Sequence, residues 1–336
     1  MKELILPEGY KTVLGTSETQ HAIELVKRTF AERLSLHLNL RRISAPLFVT
    51  PESGLNDDLN GVERPVEFDI PAAGKNAQIV HSLAKWKRMA LYRYGFKPGE
   101  GLYTDMNAIR RDEDCDNLHS VYVDQWDWEK VITRADRTRE YLRDTVKNIV
   151  AAMNETETAL TAAFPGLQMH IPSEVHFVST EELERMYPDK TPREREDIVC
   201  REYGCVFLEG IGAPLPISGK PHDGRAPDYD DWSLNGDILI WYEPLGRALE
   251  LSSMGIRVDP DSLASQLRAA GVWERSKLEF HRMLLAGELP LTIGGGIGQS
   301  RLSMAMTDKV HIGEVQCSVW PDDMYKVCGE HGIFLL

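Results

Sequence analysis

No stretch of this chain is apolar enough to cross a bilayer as a helix, which takes about 18 or more residues almost free of charge. The opening Met1-Lys2-Glu3-Leu4 lacks the apolar core of a secretory signal. A membrane anchor is therefore not expected, and the cytoplasm is the expected location. Cysteine is scarce: there are five, an odd number, with no C-x-x-C pair. They fit reduced thiols better than a disulfide framework or a cysteine zinc site. The ten histidines contain no H-E-x-x-H. Positive charge is also short, 38 Lys and Arg against 52 Asp and Glu, a net −14. A chain so acidic is not built as a general nucleic-acid binder. Both common phosphate motifs, G-x-x-x-x-G-K-[ST] and G-x-G-x-x-G, are missing.

What is present is a glycine run, Gly294-Gly295-Gly296-Ile297-Gly298-Gln299-Ser300-Arg301. A short apolar stretch, Leu291 to Ile293, precedes it as a strand, and Leu302 to Met306 follows as a helix. Glycines without Cβ atoms let a backbone come close to a flat or charged ligand. Arg301 falls in the first turn of that helix, where the dipole disfavours a cation, so a bound anion or nucleotide would account for it. A tight strand-to-helix turn with one exposed arginine fits the same run.

The rest of the chain alternates strands and helices without repeats or a clear linker. Ser17-x-x-Gln20 opens a helix to Leu38, with Ala22, Val26, Phe30 and Leu34 on one face. Arg42 to Val49 reads as a strand, residues 51–64 as a polar loop, and Gln78 to Val80 as a strand before a basic helix with Lys85, Lys87 and Arg88. Asn107 to Glu129 reads as strand, acidic loop, strand. The second limb alternates with period two, placing Gln125 and Asp127 on the face of Val121 and Val123. Polar groups on a half-buried face need partners, and a polar ligand would supply them. A long helix is expected over 137–163, and capping boxes at Ser179/Glu182 and Thr191/Glu194 open two more. Residues 211–234 read as an ordered loop, and Ile238–Trp241 and Leu249–Val258 as adjacent strands. Asp259-Pro260 caps a helix that ends near Gly271. The expected architecture is α+β, an antiparallel sheet with helices packed on it.

Three pieces carry chemistry. Arg110, at a strand end before Glu113, can grip a phosphate bidentately; a charged hairpin with solvated ion pairs is the alternative. Asp237 and Glu250, on neighbouring strands, are hard oxygen donors suited to Mg²⁺ shared with nucleotide phosphates. Arg301 closes the glycine run. Together these resemble the second and third motifs of class II aminoacyl-tRNA synthetases, in which the first arginine holds the α-phosphate and the last stacks on adenine.

Longer stretches resemble ammonia-dependent asparagine synthetases (aspartate–ammonia ligases): His81–Arg88, Gly99–Thr104, His119–Glu129, Arg225–Trp232 and Glu250–Arg257. The similarity runs from about residue 16 to the end. It implies a single class II synthetase-like catalytic domain over 16–336 with residues 1–15 as an extension. The implied reaction joins L-aspartate, ATP and ammonia into L-asparagine, AMP and pyrophosphate through a β-aspartyl adenylate. It implies Arg110 on the α-phosphate, Arg301 on adenine, Asp237 and Glu250 on Mg²⁺, and His119, Ser120 and Ser253 around the nucleotide. Ser82, Lys87, Gln125, Asp127 and Asp230 would surround the amino acid. Asp57 is the candidate for holding ammonium, with Asp58 as its substitute. The family also implies a homodimer.

Lys2 follows Met1 where a glutaminase would need an N-terminal cysteine, so free ammonia is the expected nitrogen donor. An aspartyl- or asparaginyl-tRNA synthetase would need an anticodon-binding module, for which there is no room before Ser17, so no tRNA partner is expected. A catalytically dead paralogue is disfavoured because Arg110, Arg301, Asp237 and Glu250 are all kept. Against the pattern of the family it resembles, in which a longer insertion is often expected, the segment between Trp232 and Asn235 is short.

Overall fold

The computed structural model describes residues 4–57 and 63–336. Asp58, the alternative to Asp57, and part of the polar loop lie outside the described residues. The strands, in chain order, are β1 Leu40–Arg42, β2 Phe48–Val49, β3 Glu67–Ile70, β4 Lys75–Ile79, β5 Gly101–Ile109 and β6 Tyr122–Val131. They continue as β7 His176–Ser179, β8 Cys205–Glu209, β9 Asp230–Tyr242, β10 Arg247–Arg257 and β11 Thr292–Gly298. Eight of them form one sheet in the order β1-β5-β6-β11-β10-β9-β8-β7. Its inner pairs are antiparallel, and a parallel strand closes each edge, β1 on β5 and β7 on β8. A second sheet, β2-β4-β3, is small and antiparallel.

The helices are α1 Thr16–Leu38, α2 Ala84–Arg93, α3 Arg139–Ala163, α4 Thr180–Met186, α5 Pro192–Tyr203, α6 Pro260–Ala269, α7 Glu279–Leu285, α8 Gln299–Met306 and α9 Asp322–Glu330. The expected stripe on α1 is the buried one: Ala22, Val26, Phe30 and Leu34 are all fully covered. Its start differs from the expectation. Gly15, not Ser17, is the N-cap, and its N–H donates to the Glu18 carboxylate at 3.0 Å. The boxes at Ser179/Glu182 and Thr191/Glu194 open α4 and α5 as expected, and Asp259 caps α6.

The main core lies between the sheet and the pair α1 and α3. Trp126 and Trp128 of β6 turn into it, and the Phe30 ring sits 4.6 Å from that of Trp126. Each such side chain, fully buried, contributes on the order of 1.5–3 kcal/mol. Strand alternation then fixes the other face of β6, where Gln125, Asp127 and Glu129 point away from the core.

Two further expectations are corrected here. Arg42 to Val49 is not one strand: β1 pairs with β5 and β2 with β4, in different sheets. The loop 211–234 ends early, because β9 begins at Asp230, whose side chain is buried in ion pairs. The basic helix α2 is found where expected, and its Lys85, Lys87 and Arg88 are all buried. Arg88 donates to the carbonyls of Val258 (2.7 Å) and Pro290 (2.9 Å), tying α2 to the segments behind β10 and before β11.

The segment after α8 makes a turn capped by His311, whose Nδ1 accepts from the N–H of Gly313 at 3.0 Å. Burial pushes the imidazole pKa down to about 4, against the pull of Asp116. Between about pH 6.5 and pH 4 the unfolded chain takes a proton that the folded one refuses. This part of the stability is therefore present above pH 6.5 and falls by about 3 kcal/mol as pH drops to 4. Urea midpoints measured across that range should drop for the wild type. His311→Gln should lack that part of the slope; an unchanged slope would contradict the assignment.

Candidate active site

The floor of the site is β6, β11 and β10. The glycine run is not a turn: Gly294 to Gly298 are strand residues paired with Glu129 to Gln125 of β6, and the helix starts at Gln299. None of these glycines has a positive φ, so glycine is needed here for room. A Cβ on Gly294 would lie 2.7 Å from the Trp128 carbonyl oxygen and 2.8 Å from the Arg257 guanidinium. One on Gly296 would lie 2.5 Å from the Gln125 amide oxygen. The strand is thus thinned where buried polar side chains cross it. Gly294→Ala should destabilise the chain by about 1–3 kcal/mol, because backbone must move. Denaturant unfolding checks this, and a neutral result would mean the floor is looser than described.

Above this floor lies a cavity of about 400 Å³ with a polar lining. At one end the Lys87 ammonium reaches from α2 to Asp127 (2.5 Å) and to the Gly295 carbonyl (2.9 Å). Both partners are nearly fully buried. Burial pulls the lysine pKa down, and Asp127 opposes this. The second oxygen of Asp127 is buried without a protein partner, an acceptor still to be satisfied beside the cavity. Arg257 crosses behind, between Glu129 (3.3 Å) and Asp230, with Tyr229 beneath its guanidinium at 5.6 Å. Thr292 donates to the other Glu129 oxygen at 2.8 Å. This end offers cations and acids within one ligand's reach, as an amino acid with two carboxylates requires.

At the other end Arg110 follows β5, its backbone N–H held by the Val121 carbonyl at 2.8 Å. Its Nε is buried and has no protein partner, as expected of a group reserved for an anion. His119 pairs with Asp116 through Nδ1 at 2.8 Å. Burial would raise the Asp116 carboxyl, but hydrogen bonds from His119 and two backbone N–H groups hold it at about 2. Ser120 donates to Ser318 at 2.8 Å. Arg301 leans on Glu250, 3.1 Å from its carbonyl oxygen and 3.4 Å from its carboxylate.

The cavity brings together most of the expected residues: Ser82, Lys87, Gln125, Asp127 and Asp230 at one end, and Arg110, His119, Ser120, Glu250, Ser253 and Arg301 at the other. Two expected residues stand one side chain back from its lining. Asp237 lies behind Arg225, which binds it at 2.6 Å and also donates to Ser253. Burial lifts the Asp237 carboxyl to about 7; Arg225 resists this and the nearby Glu250 charge adds to it. Asp57 is buried behind Tyr229, whose hydroxyl donates to it at 2.9 Å.

Four residues were missed as site residues: Arg225, Arg257, Glu129 and Tyr229. Each lies inside or at the end of a stretch already singled out, Arg225–Trp232, His119–Glu129 or Glu250–Arg257. For Glu129 and Arg257 the signal was present as charge on otherwise apolar strands, which burial in pairs accommodates; Arg225 and Tyr229 lie in the loop before β9 and carried no such signal.

A family model for aspartate-ammonia ligase matches residues 17–332. The chain belongs to the aspartate–ammonia ligase family. It is an ATP-dependent ligase that makes asparagine from aspartate and ammonia. An aspartate–ammonia ligase of Limosilactobacillus reuteri is 57% identical over 99% of this chain and 100% of its own length. One of Ruminiclostridium cellulolyticum is 58% identical over the full length of both. Solved structures show the same fold at low identity. The asparaginyl-tRNA synthetase of Entamoeba histolytica in complex with asparaginyl-adenylate superposes with a TM-score of 0.62 at 13% identity. It covers 90% of this ligase, which spans 66% of that chain. The asparaginyl-tRNA synthetase of Pyrococcus horikoshii, also with asparaginyl-adenylate, gives 0.62 at 14% identity, covering 90% of this ligase and 70% of that chain. The class II synthetase fold expected from the sequence is thereby shown.

Proposed function

We propose that this ligase works through a β-aspartyl adenylate made and consumed in the one cavity. The observation that carries this is that a buried, unpartnered Arg110 nitrogen and the unpartnered Asp127 oxygen belong to opposite ends of the same pocket. A carboxylate is a poor electrophile, and ammonia does not displace its oxygen. Attack of the aspartate β-carboxylate on the α-phosphorus breaks the bond to pyrophosphate and makes an acyl phosphate with a good leaving group. Ammonia then attacks the acyl carbon and AMP departs. Both steps build negative charge on oxygen, which fixed cations stabilise.

In this reading Arg110 holds the α-phosphate and Arg301 lies on the adenine, with His119, Ser120 and Ser253 around the nucleotide. Lys87 meets a substrate carboxylate. Asp127 and Asp230 meet the α-amino group, with Gln125 and Ser82 beside them. Asp57 receives ammonium. Residues 16–336 act as one catalytic domain. Residues before 16 are its extension, tied on where Asn117 bonds both backbone groups of Ile5 (2.8 and 2.9 Å).

The acid pair Asp237 and Glu250 fits a hard dication. Both offer carboxylate oxygens; burial lifts the Asp237 carboxyl and the Glu250 charge adds to this, and a bound cation would offset both. Bound there, Mg²⁺ would neutralise part of the triphosphate charge. Arg225 competes for the same anionic slot. A homodimer in the cytoplasm, free of tRNA, completes the proposal. The test is product analysis with aspartate and ATP, offering ammonium or glutamine. Asparagine, AMP and pyrophosphate are expected with ammonium alone. ADP as product, or aspartate carried to tRNA, would overturn the reading.

A further inference from the structure

Ammonium has no lone pair and must lose a proton before it can attack. Asp57 is the acid expected to hold ammonium, yet its carboxylate does not line the cavity and is almost wholly covered. Tyr229 does line the cavity, and its hydroxyl donates to an Asp57 carboxylate oxygen at 2.9 Å. We infer that the Tyr229 hydroxyl is the group through which ammonium delivers its proton to Asp57, a catalytic role in the amide-forming half of the reaction.

The geometry gives the phenol both halves of a relay. Its proton already points at Asp57, so its oxygen lone pairs face other neighbours and can accept from an N–H in the cavity. The ring is held from the other side by Arg257, 5.6 Å from its centroid, and that arginine is itself pinned by Glu129 and Asp230. Asp57 is held on the far side by its backbone carbonyl, which accepts from His81 Nδ1 at 2.9 Å. Burial first, then the Asp57 and Asp230 charges, drive the phenol pKa well upward. Tyr229 therefore passes a proton on and does not rest as a phenolate.

The step balances as follows. One N–H bond of ammonium breaks as its proton bonds to the Tyr229 oxygen, and the former phenolic proton moves to Asp57. The products are neutral ammonia, neutral tyrosine and a protonated Asp57 carboxyl. The ammonia lone pair forms the C–N bond, and the acyl C–O bond breaks with its electrons leaving on AMP. The nitrogen then gives one further proton to solvent.

This inference rests on the adenylate reading, so the two must be tested apart. Aspartate-dependent exchange of pyrophosphate into ATP reports adenylate formation alone; if the wild type shows none, the adenylate reading fails. Hydroxylamine, largely unprotonated at neutral pH, attacks without needing a base. For Tyr229→Phe we expect the exchange to persist, ammonia-dependent asparagine to fall about 10²-fold or more, and aspartyl hydroxamate formation to stay within a few-fold. Asp57→Asn keeps an acceptor for the tyrosine and loses the base, so it should show the same split even if the Phe variant folds poorly. Equal loss with ammonia and hydroxylamine would make Tyr229 a positioning group only and overturn the inference. So would unchanged ammonia kinetics in either variant.

Discussion

Replacing Arg110 with alanine lowers aspartate-dependent ATP–pyrophosphate exchange about 10²–10³-fold and leaves the unfolding midpoint nearly unchanged. The two halves of this result have separate causes. The residue's place in the fold is set by its backbone, through the bond to Val121 at 2.8 Å. Its buried Nε bonds to no protein group, so truncation removes little that the folded protein uses. What it does remove is a fixed cation at the point where charge develops on the α-phosphate. Such a group acts with more force in a covered cavity than in water, since it need not reorganise. The neighbouring Arg111 is exposed and serves as a control, since Arg111→Ala should leave the exchange intact. An Arg110 variant with normal exchange would show that the anion binds elsewhere.

Arg257→Met, by contrast, should damage both the fold and the chemistry. This arginine is nearly fully buried between Glu129 and Asp230, which are themselves 0% and 1% exposed. Methionine fills much of the volume but leaves two carboxylates without their shared partner. Breaking a buried pair in this way costs about 3–5 kcal/mol. Arg225, 3.8 Å from Asp230, recovers part of that for one of the acids. Glu129 keeps its bond from Thr292 at 2.8 Å but loses its counter-charge. The double change Arg257→Met with Glu129→Gln should therefore regain part of the lost stability without regaining aspartate-dependent exchange. Arg257→Lys should keep the charge but lose the two-sided fork, giving an intermediate stability. Denaturant midpoints and exchange rates on the three variants check this. A loss under about 1 kcal/mol for Arg257→Met would mean that the acids are already neutral or solvated.

The parts legible in the sequence were those decided locally. The α1 stripe follows from its spacing alone, and the boxes at Ser179 and Thr191 involve residues three apart. The alternation of β6 separated its tryptophans from Gln125 and Asp127 because one face must meet the core. Where pairing is decided at a distance, local pattern failed. Residues 42–49 look like one strand, yet their partners lie in different sheets. The start of β9 looks like loop because Asp230, Asp231 and Asn235 are polar, and only their buried partners make a strand possible. The glycine run was legible as important but not as what it is. Its composition suggested a turn, whereas the missing Cβ atoms of Gly294, Gly295 and Gly296 make room for neighbours across the sheet. The cavity's residues were mostly legible through the family motifs. The network that holds them, Arg225, Arg257, Glu129 and Tyr229, was not, because a charge buried against another looks the same in a sequence as one in water.

The route of the carboxylate oxygen tests the central claim most directly. Aspartate labelled with ¹⁸O in its β-carboxylate should be turned over with ATP and ammonium, and the AMP analysed by mass. If the carboxylate attacks the α-phosphorus, each AMP carries one oxygen from aspartate and the pyrophosphate carries none. Label in pyrophosphate or inorganic phosphate, or unlabelled AMP, would contradict the adenylate route.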